Sequence, residues 1–86
     1  MRVHIPTALR SYTGGREEVK AVGATLDALL RELDRCYPGF RFRIIDEQDA
    51  IRSHIKIFVN REQARDVGVA LRNEDEVSIL LALSGG

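Results

Sequence analysis

The hydrophobic positions of this chain change period several times, and each change marks an element. In "RVHIP", Val3 and Ile5 alternate with Arg2 and His4, the period of two that belongs to a strand with one buried face. Pro6 then restricts pairing, because proline has no backbone N–H to give to a ladder. "YTGG" supplies a turn, since Gly14 and Gly15 accept positive φ without steric penalty. "EEVKAV" predicts a second strand, which closes a hairpin with the first.

"ATLDALLRELDRCYPG" switches to the helical period. Leu26, Leu29, Leu30, Leu33 and Tyr37 fall on one stripe. Thr25 is the expected N-cap, and Asp27 places negative charge in the first turn, where the helix dipole favours it. Pro38 and Gly39 stop the helix. "FRFRIIDEQDAIRS" is open to two readings. Phe40, Phe42 and Ile44 alternate like a strand, and the segment reads equally well as an irregular lid over the helix end.

"HIKIFVN" predicts a strand with Ile55, Ile57 and Val59 on one face. Asn60 and Arg61 then turn the chain into a short strand near "EQAR". "DVGVALRNED" is loop-like, with Leu71 as its core anchor. "EVSILLA" predicts the last strand, with Val77, Ile79 and Leu81 sharing a face. Its apolar run occupies both parities, which suits a strand flanked on both sides, so it is expected in mid-sheet beside the first. The order predicts an α+β fold, a mixed sheet of four to five strands packed on one main helix. Residues 1–86 are expected to form one domain, with 84–86 as a flexible C-terminal tail.

Charge narrows the partners. Thirteen basic residues balance thirteen acidic ones, which removes the broad electrostatic footprint of a nucleic-acid or anionic-membrane binder. The longest apolar run, Ile79 to Leu83, is too short to span a bilayer, and "MRVHIPTALR" lacks the apolar core of a signal peptide. A single cysteine cannot form an internal disulfide, so a cytoplasmic location is the economical reading. No nucleic-acid or membrane partner is expected.

Most candidate chemistry has a simpler structural explanation. Cys36 lies on the apolar side of the helix with no histidine or lysine beside it, so core packing is expected rather than a nucleophile. His4, His54 and Cys36 lack the paired spacing of zinc ligands; no metal site and no bound cofactor are expected. The carboxylates of "IIDEQD" and "RNEDEV" belong to solvated turns, and "YTGGREE" lacks the lysine and spacing of a phosphate loop. Arg41 and Arg43 between Phe40 and Phe42 are expected as solvated arginines beside packed phenylalanines. Gly85-Gly86 is different. At average glycine usage such a pair closes about 0.5 % of chains by chance. Two residues without Cβ also let a backbone extend into a narrow channel and present a carboxylate for activation.

Four stretches, "IPTALRSYTGG", "ATLDALLRELDRCYPG", "HIKIFVN" and "DEVSILLALSGG", together resemble the ubiquitin-like sulfur-carrier family. That family includes the small subunit of molybdopterin synthase, the thiamine-pathway carrier and the cysteine-biosynthesis carrier; the first stretch looks most like the cysteine branch. The resemblance covers essentially the whole chain and implies a β-grasp fold. It also implies a cycle in which a ubiquitin-activating-like adenylyltransferase uses ATP and magnesium to adenylate the Gly86 carboxylate. A persulfide, often from a rhodanese-type domain, then yields a thiocarboxylate. The implied acceptors are a pyridoxal-phosphate (PLP) dependent cysteine synthase followed by a metallopeptidase, or the molybdopterin synthase large subunit. Carried onto this chain, Gly86 is the site of activation, Gly85 its flexible spacer, and Leu83 and Ser84 lie in the same channel. Leu80 on the last strand helps form the docking surface.

The chain departs from the family pattern at Arg61 and Glu74, where many relatives have glycine, and at Leu81 to Ser84, where many have proline before the tail. Three readings follow: a sulfur carrier that acts as protein cosubstrate rather than enzyme, a ubiquitin-like modifier conjugated through Gly86, and a non-catalytic β-grasp interaction module. The carrier is favoured because the N-terminal pattern also matches.

Overall fold

The sheet is built around the last strand. In a computed structural model, which describes residues 1–82, the elements run β1 (Arg2–His4), a 3₁₀ helix (Thr7–Thr13), β2 (Glu18–Lys20), α1 (Leu26–Cys36), α2 (Phe40–Ile44), β3 (Ile55–Val59), β4 (Glu62–Ala64) and β5 (Glu76–Leu81). Their order in the sheet is β2-β1-β5-β3-β4. β5 pairs parallel with β1 and antiparallel with β3, and the remaining pairs are antiparallel. β5 thus sits in mid-sheet beside β1, as predicted, but β1 pairs only with Glu76, Val77 and Ser78, so the "ILLA" run itself is flanked by β3 alone. Leu83, Ser84, Gly85 and Gly86, including the expected tail at 84–86, lie outside the described residues.

One face of the sheet is covered and the other is open. Val3, Val19, Ile55, Ile57, Val77 and Ile79 point inward and are buried with Leu26, Leu29, Leu30 and Leu33 of α1. Leu81, Val59 and Tyr37 pack against this core while remaining partly exposed. Burial of such side chains contributes about 1.5–3 kcal/mol each, which makes the inner face the main source of stability. The alternate residues Arg2, His4, Glu18, Lys56, Phe58, Glu76, Ser78 and Leu80 face away from the helix, as the period of two requires. Among the described residues no helix is long and apolar enough to cross a membrane.

The start of α1 shows how the 66–71 loop is ordered without regular structure. The Thr25 hydroxyl accepts from the Ala28 N–H at 3.2 Å, as an N-cap should. Two further N–H groups, which have no partner within the helix, donate to this loop: Leu26 to the Val69 carbonyl and Asp27 to the Val67 carbonyl, both at 2.9 Å. The Leu71 N–H donates back to the Ala24 carbonyl. Gly23 lets the chain pass closely here, since a Cβ on it would stand 2.5 Å from the Leu29 nitrogen.

Four expectations are corrected. The hairpin linking β1 to β2 contains a full 3₁₀ helix before Gly14 and Gly15, both at positive φ. The 40–44 segment is neither strand nor irregular lid but the short helix α2. Phe40 and Ile44, four apart, bury one helical face, while Phe42 is 57 % exposed. The reason lies in α1, where Asp34 Oδ1 accepts from the N–H groups of Gly39 and Arg41, both at 3.1 Å, and so caps α2. Arg41 is not solvated: its side chain is only 18 % exposed and reaches Asp27 at 3.1 Å and Asp49 at 3.3 Å. Cys36 is exposed rather than packed in the core; it is the last residue of α1 and lies next to Arg35 and Glu32.

The departures at Arg61 and Glu74 have a local explanation. The left-handed residue of the β3–β4 turn is Asn60, at φ 58°, a residue type that tolerates this conformation. Arg61 and Glu74 do not take positive φ, so neither position requires glycine.

Candidate functional site

The described part of the candidate site is the end of β5, from which the chain runs on toward Gly86. Strand β5 directs alternate residues' backbone groups to opposite neighbours. Toward β3, pairing continues to the last described residue, with the Ala82 N–H donating to the His54 carbonyl at 2.7 Å. Toward β1, pairing stops at His4 opposite Ser78. Ile5 gives its N–H to the Glu17 carbonyl instead, and Pro6 has none to give. From Ile79 onward, β5 therefore has a strand on one side only. The Pro6 signal read from sequence has this consequence: the last turn of the central strand is left open.

Where the two chains diverge, a groove of about 750 Å³ forms between Ile5, Pro6 and Ala8 on one wall and Ile79, Leu80 and Leu81 on the other. Leu80 is 47 % exposed on the open face, with Lys56 opposite it on β3. A smaller hollow of about 330 Å³ lies on the other side of Leu81, lined by Phe42, Arg43, Arg52 and His54.

Farther along the open face, a charged cluster spans three strands. Glu76 lies 3.0 Å from Arg2 and 3.1 Å from His4, and Glu18 lies 3.7 Å from His4. The hydrogen bond from His4, then the Arg2 charge, holds the Glu76 carboxyl below the usual glutamate range. At the β4–β5 end, Asp75 is held low by the Arg72 N–H and by the Asn60 amide.

Of the residues singled out from sequence, the structure places Leu80 on the open face at the end of β5. Gly86, Gly85, Ser84 and Leu83 lie outside the described residues. His4 stands in the charged cluster, His54 beside the hollow, and Cys36 at the end of α1. Among the described residues no three His, Cys, Asp or Glu side chains converge as a metal site. The carboxylates of "IIDEQD" hold a turn, with Asp46 Oδ1 accepting from the Gln48 and Ala50 N–H groups at 2.9 and 3.0 Å. Sequence reasoning missed the Phe42–Arg52 pair, whose guanidinium carbon sits 4.5 Å from the ring centre. The repeated "FR" and "IRSH" carried that signal, but only α2 turns Phe42 outward to meet Arg52.

Comparison with known proteins covers the whole chain. The ThiS family model matches residues 3–86. The sulfur carrier protein CysO of Mycobacterium tuberculosis is 39 % identical over 89 residues, spanning 98 % of this chain and 96 % of CysO. The crystal structure of Mycobacterium tuberculosis CysO superposes with a TM-score of 0.90 at 36 % identity, covering 95 % of this chain and 98 % of that one. A chain of the Amycolatopsis orientalis BexX/CysO complex gives 0.92 at 32 % identity, covering 99 % and 98 %. The small archaeal modifier protein 1 of Methanosarcina acetivorans gives 0.81 at 26 % identity, covering 99 % and 94 %. The architecture is the ubiquitin-like β-grasp.

Proposed function

This chain belongs to the ThiS family, and from that premise we propose that it is a sulfur carrier of the cysteine-biosynthesis branch, loaded at the carboxylate of Gly86. The observation that carries the reading is the near full-length alignment with CysO, a sulfur carrier protein. The chain acts as a protein cosubstrate, and its fold has one main task, to present Gly86 to other proteins. The BexX/CysO complex of Amycolatopsis orientalis supports the expectation that work is done by docking onto a partner.

The chemistry follows from the carboxylate. A carboxylate is a poor electrophile, so it first attacks the α-phosphorus of ATP, held with magnesium on an adenylating partner. Pyrophosphate leaves and a mixed anhydride with AMP remains. A persulfide sulfur then attacks the Gly86 carbonyl and AMP departs with the oxygen. A thiol cleaves the resulting acyl disulfide, leaving the thiocarboxylate on Gly86 and a disulfide on the donor side. Gly85 contributes by lacking a Cβ, which lets the backbone lie flat in a narrow channel. Leu80 contributes apolar docking area, and Leu83 and Ser84 occupy the channel entrance.

A second reading rests on the likeness to small archaeal modifier protein 1: the activated Gly86 carbonyl is attacked by a lysine amine and an isopeptide forms. Intact-mass analysis of the protein isolated from its native host separates the two. Replacement of one oxygen by sulfur at Gly86 is expected for the carrier, and a covalent adduct with a second polypeptide for the modifier. A mass that never changes in the presence of the activating enzyme, with no adduct formed, sinks both and leaves the interaction module.

A further inference from the structure

The hollow beside Leu81 has a charge that the chain's overall balance does not explain. Arg43, Arg52 and His54 line it together with Phe42 and apolar residues such as Leu9 and Leu81, and among the described residues no aspartate or glutamate does. Among the described residues Arg2, Arg31, Arg35 and Arg41 meet carboxylates, whereas Arg43 and Arg52 form no ion pair. In a chain of net charge zero, this local excess is a property of the surface and not of composition.

The group is also held in place. The Arg52 Nε–H donates to the Phe42 carbonyl at 2.8 Å, and its guanidinium lies over the Phe42 ring at 4.5 Å. Those two contacts hold the guanidinium beside the Phe42 ring. A flat, weakly hydrated cation in such a setting is suited to bidentate recognition of a carboxylate. His54 adds an imidazole, and its carbonyl is the one that accepts from Ala82. The hollow is therefore attached directly to the root of the tail.

The length of the intervening chain decides what must cover this surface. Gly86 follows Ala82 by four residues, a link that spans at most about 14 Å when fully extended. Any protein that grips Gly86 brings its own surface within that distance of Ala82, close enough to reach the hollow that Leu81 lines. We infer that the Phe42–Arg43–Arg52–His54 hollow docks an acidic segment of the adenylating enzyme, with aspartate or glutamate carboxylates facing Arg43 and Arg52. The inference rests on the proposed activation of Gly86 and names the part of the partner that recognises the carrier. Paired charges at the margin of an interface act chiefly on encounter and on salt dependence.

The test is ATP–pyrophosphate exchange with the adenylating enzyme encoded in the same genome, using the full chain at low and high salt. Arg43→Glu, which replaces an exposed side chain, and the double variant Arg43→Glu/Arg52→Glu are compared with Arg61→Glu, whose residue lies in the β3–β4 turn away from the hollow. The expected result is a rise in KM for the carrier of roughly tenfold or more for the double variant, with kcat retained. The decline of kcat/KM with salt expected of the unaltered chain disappears, and Arg61→Glu changes neither quantity. If Arg52→Glu disturbs folding by circular dichroism, the single Arg43 variant carries the comparison and shows the smaller shift in the same direction. Exchange supported equally well by all variants, with the same salt dependence, overturns the docking inference and leaves Gly86 activation standing. No exchange with the unaltered chain overturns the activation itself, and the inference with it.

Discussion

His4 Nε2 lies 3.1 Å from a carboxylate oxygen of Glu76, across the parallel β1–β5 ladder. The other Glu76 oxygen is 3.0 Å from Arg2. One carboxylate on the central strand is thus held by two residues of its neighbour, on the open face of the sheet.

That relationship predicts an acid-dependent loss of stability. The folded-state pKa of Glu76 is below its ordinary value of 4.5. The stabilisation is therefore fully present above about pH 4.5 and is lost as pH falls through the lower folded value. Glu76→Gln is expected to be less stable than the unaltered chain at pH 6.5, with a smaller difference at pH 3. Urea denaturation at both pH values measures it, and an equal difference at the two refutes the assignment.

Gly23 predicts a packing effect with no electrostatic part. A Cβ there would stand 2.5 Å from the Leu29 nitrogen and 2.8 Å from its Cα, both backbone atoms of α1 that cannot rotate away. Gly23→Ala is expected to destabilise the fold by about 1–3 kcal/mol, the usual range for overpacking. A thermal or urea melt reads this directly. An unchanged midpoint would show that the 22–24 segment yields freely.

Asn60 combines a left-handed backbone with two side-chain contacts. Its amide donates to Asp75 at 3.0 Å, and its oxygen accepts from the Glu76 N–H at 3.0 Å. Asn60→Ala keeps a Cβ at positive φ but loses the side-chain hydrogen bonds that let asparagine tolerate that conformation, at a cost of about 1–2 kcal/mol. Asn60→Gly keeps the conformation at lower cost, so it is expected to be the more stable of the two. The reverse order in denaturation would remove backbone conformation as the reason.

Leu80 separates docking from folding. Being exposed on the open face, it contributes little to the core, so Leu80→Asp is expected to leave the melting temperature nearly unchanged. Exchange activity with the adenylating enzyme is expected to fall at least tenfold, as for a contact residue near the centre of an interface. Full activity in this variant would move the docking surface elsewhere.

Cys36 gives a direct check on its position. An exposed thiol reacts with a disulfide reagent in the native protein as fast as in the unfolded one, whereas a core thiol waits for unfolding. Cys36→Ser is expected to leave stability and carrier activity unchanged. A thiol protected from the reagent until the chain unfolds would contradict its placement at the end of α1.

The sequence by itself determined the elements whose periodicity belongs to a single segment. Leu26, Leu29, Leu30 and Leu33 specify one helical stripe, Thr25 marks its start, and Val77 and Ile79 specify one face of a strand, because in each case the spacing alone decides burial. The apolar last segment also pointed to a mid-sheet β5. Tertiary structure decided whatever depended on a partner distant along the chain. Asp34 turned the alternating "FRFRI" into a helix by capping it, which buried Phe40, exposed Phe42 and drew Arg41 to Asp27 and Asp49. Val67 and Val69 ordered a loop by accepting the first N–H groups of α1. The cationic hollow at the root of the tail likewise exists only because α2 turns Phe42 outward while β3 brings His54 alongside Ala82. Periodicity records which face of an element is apolar, but hydrogen bonds and charge pairs between elements leave no period in the sequence.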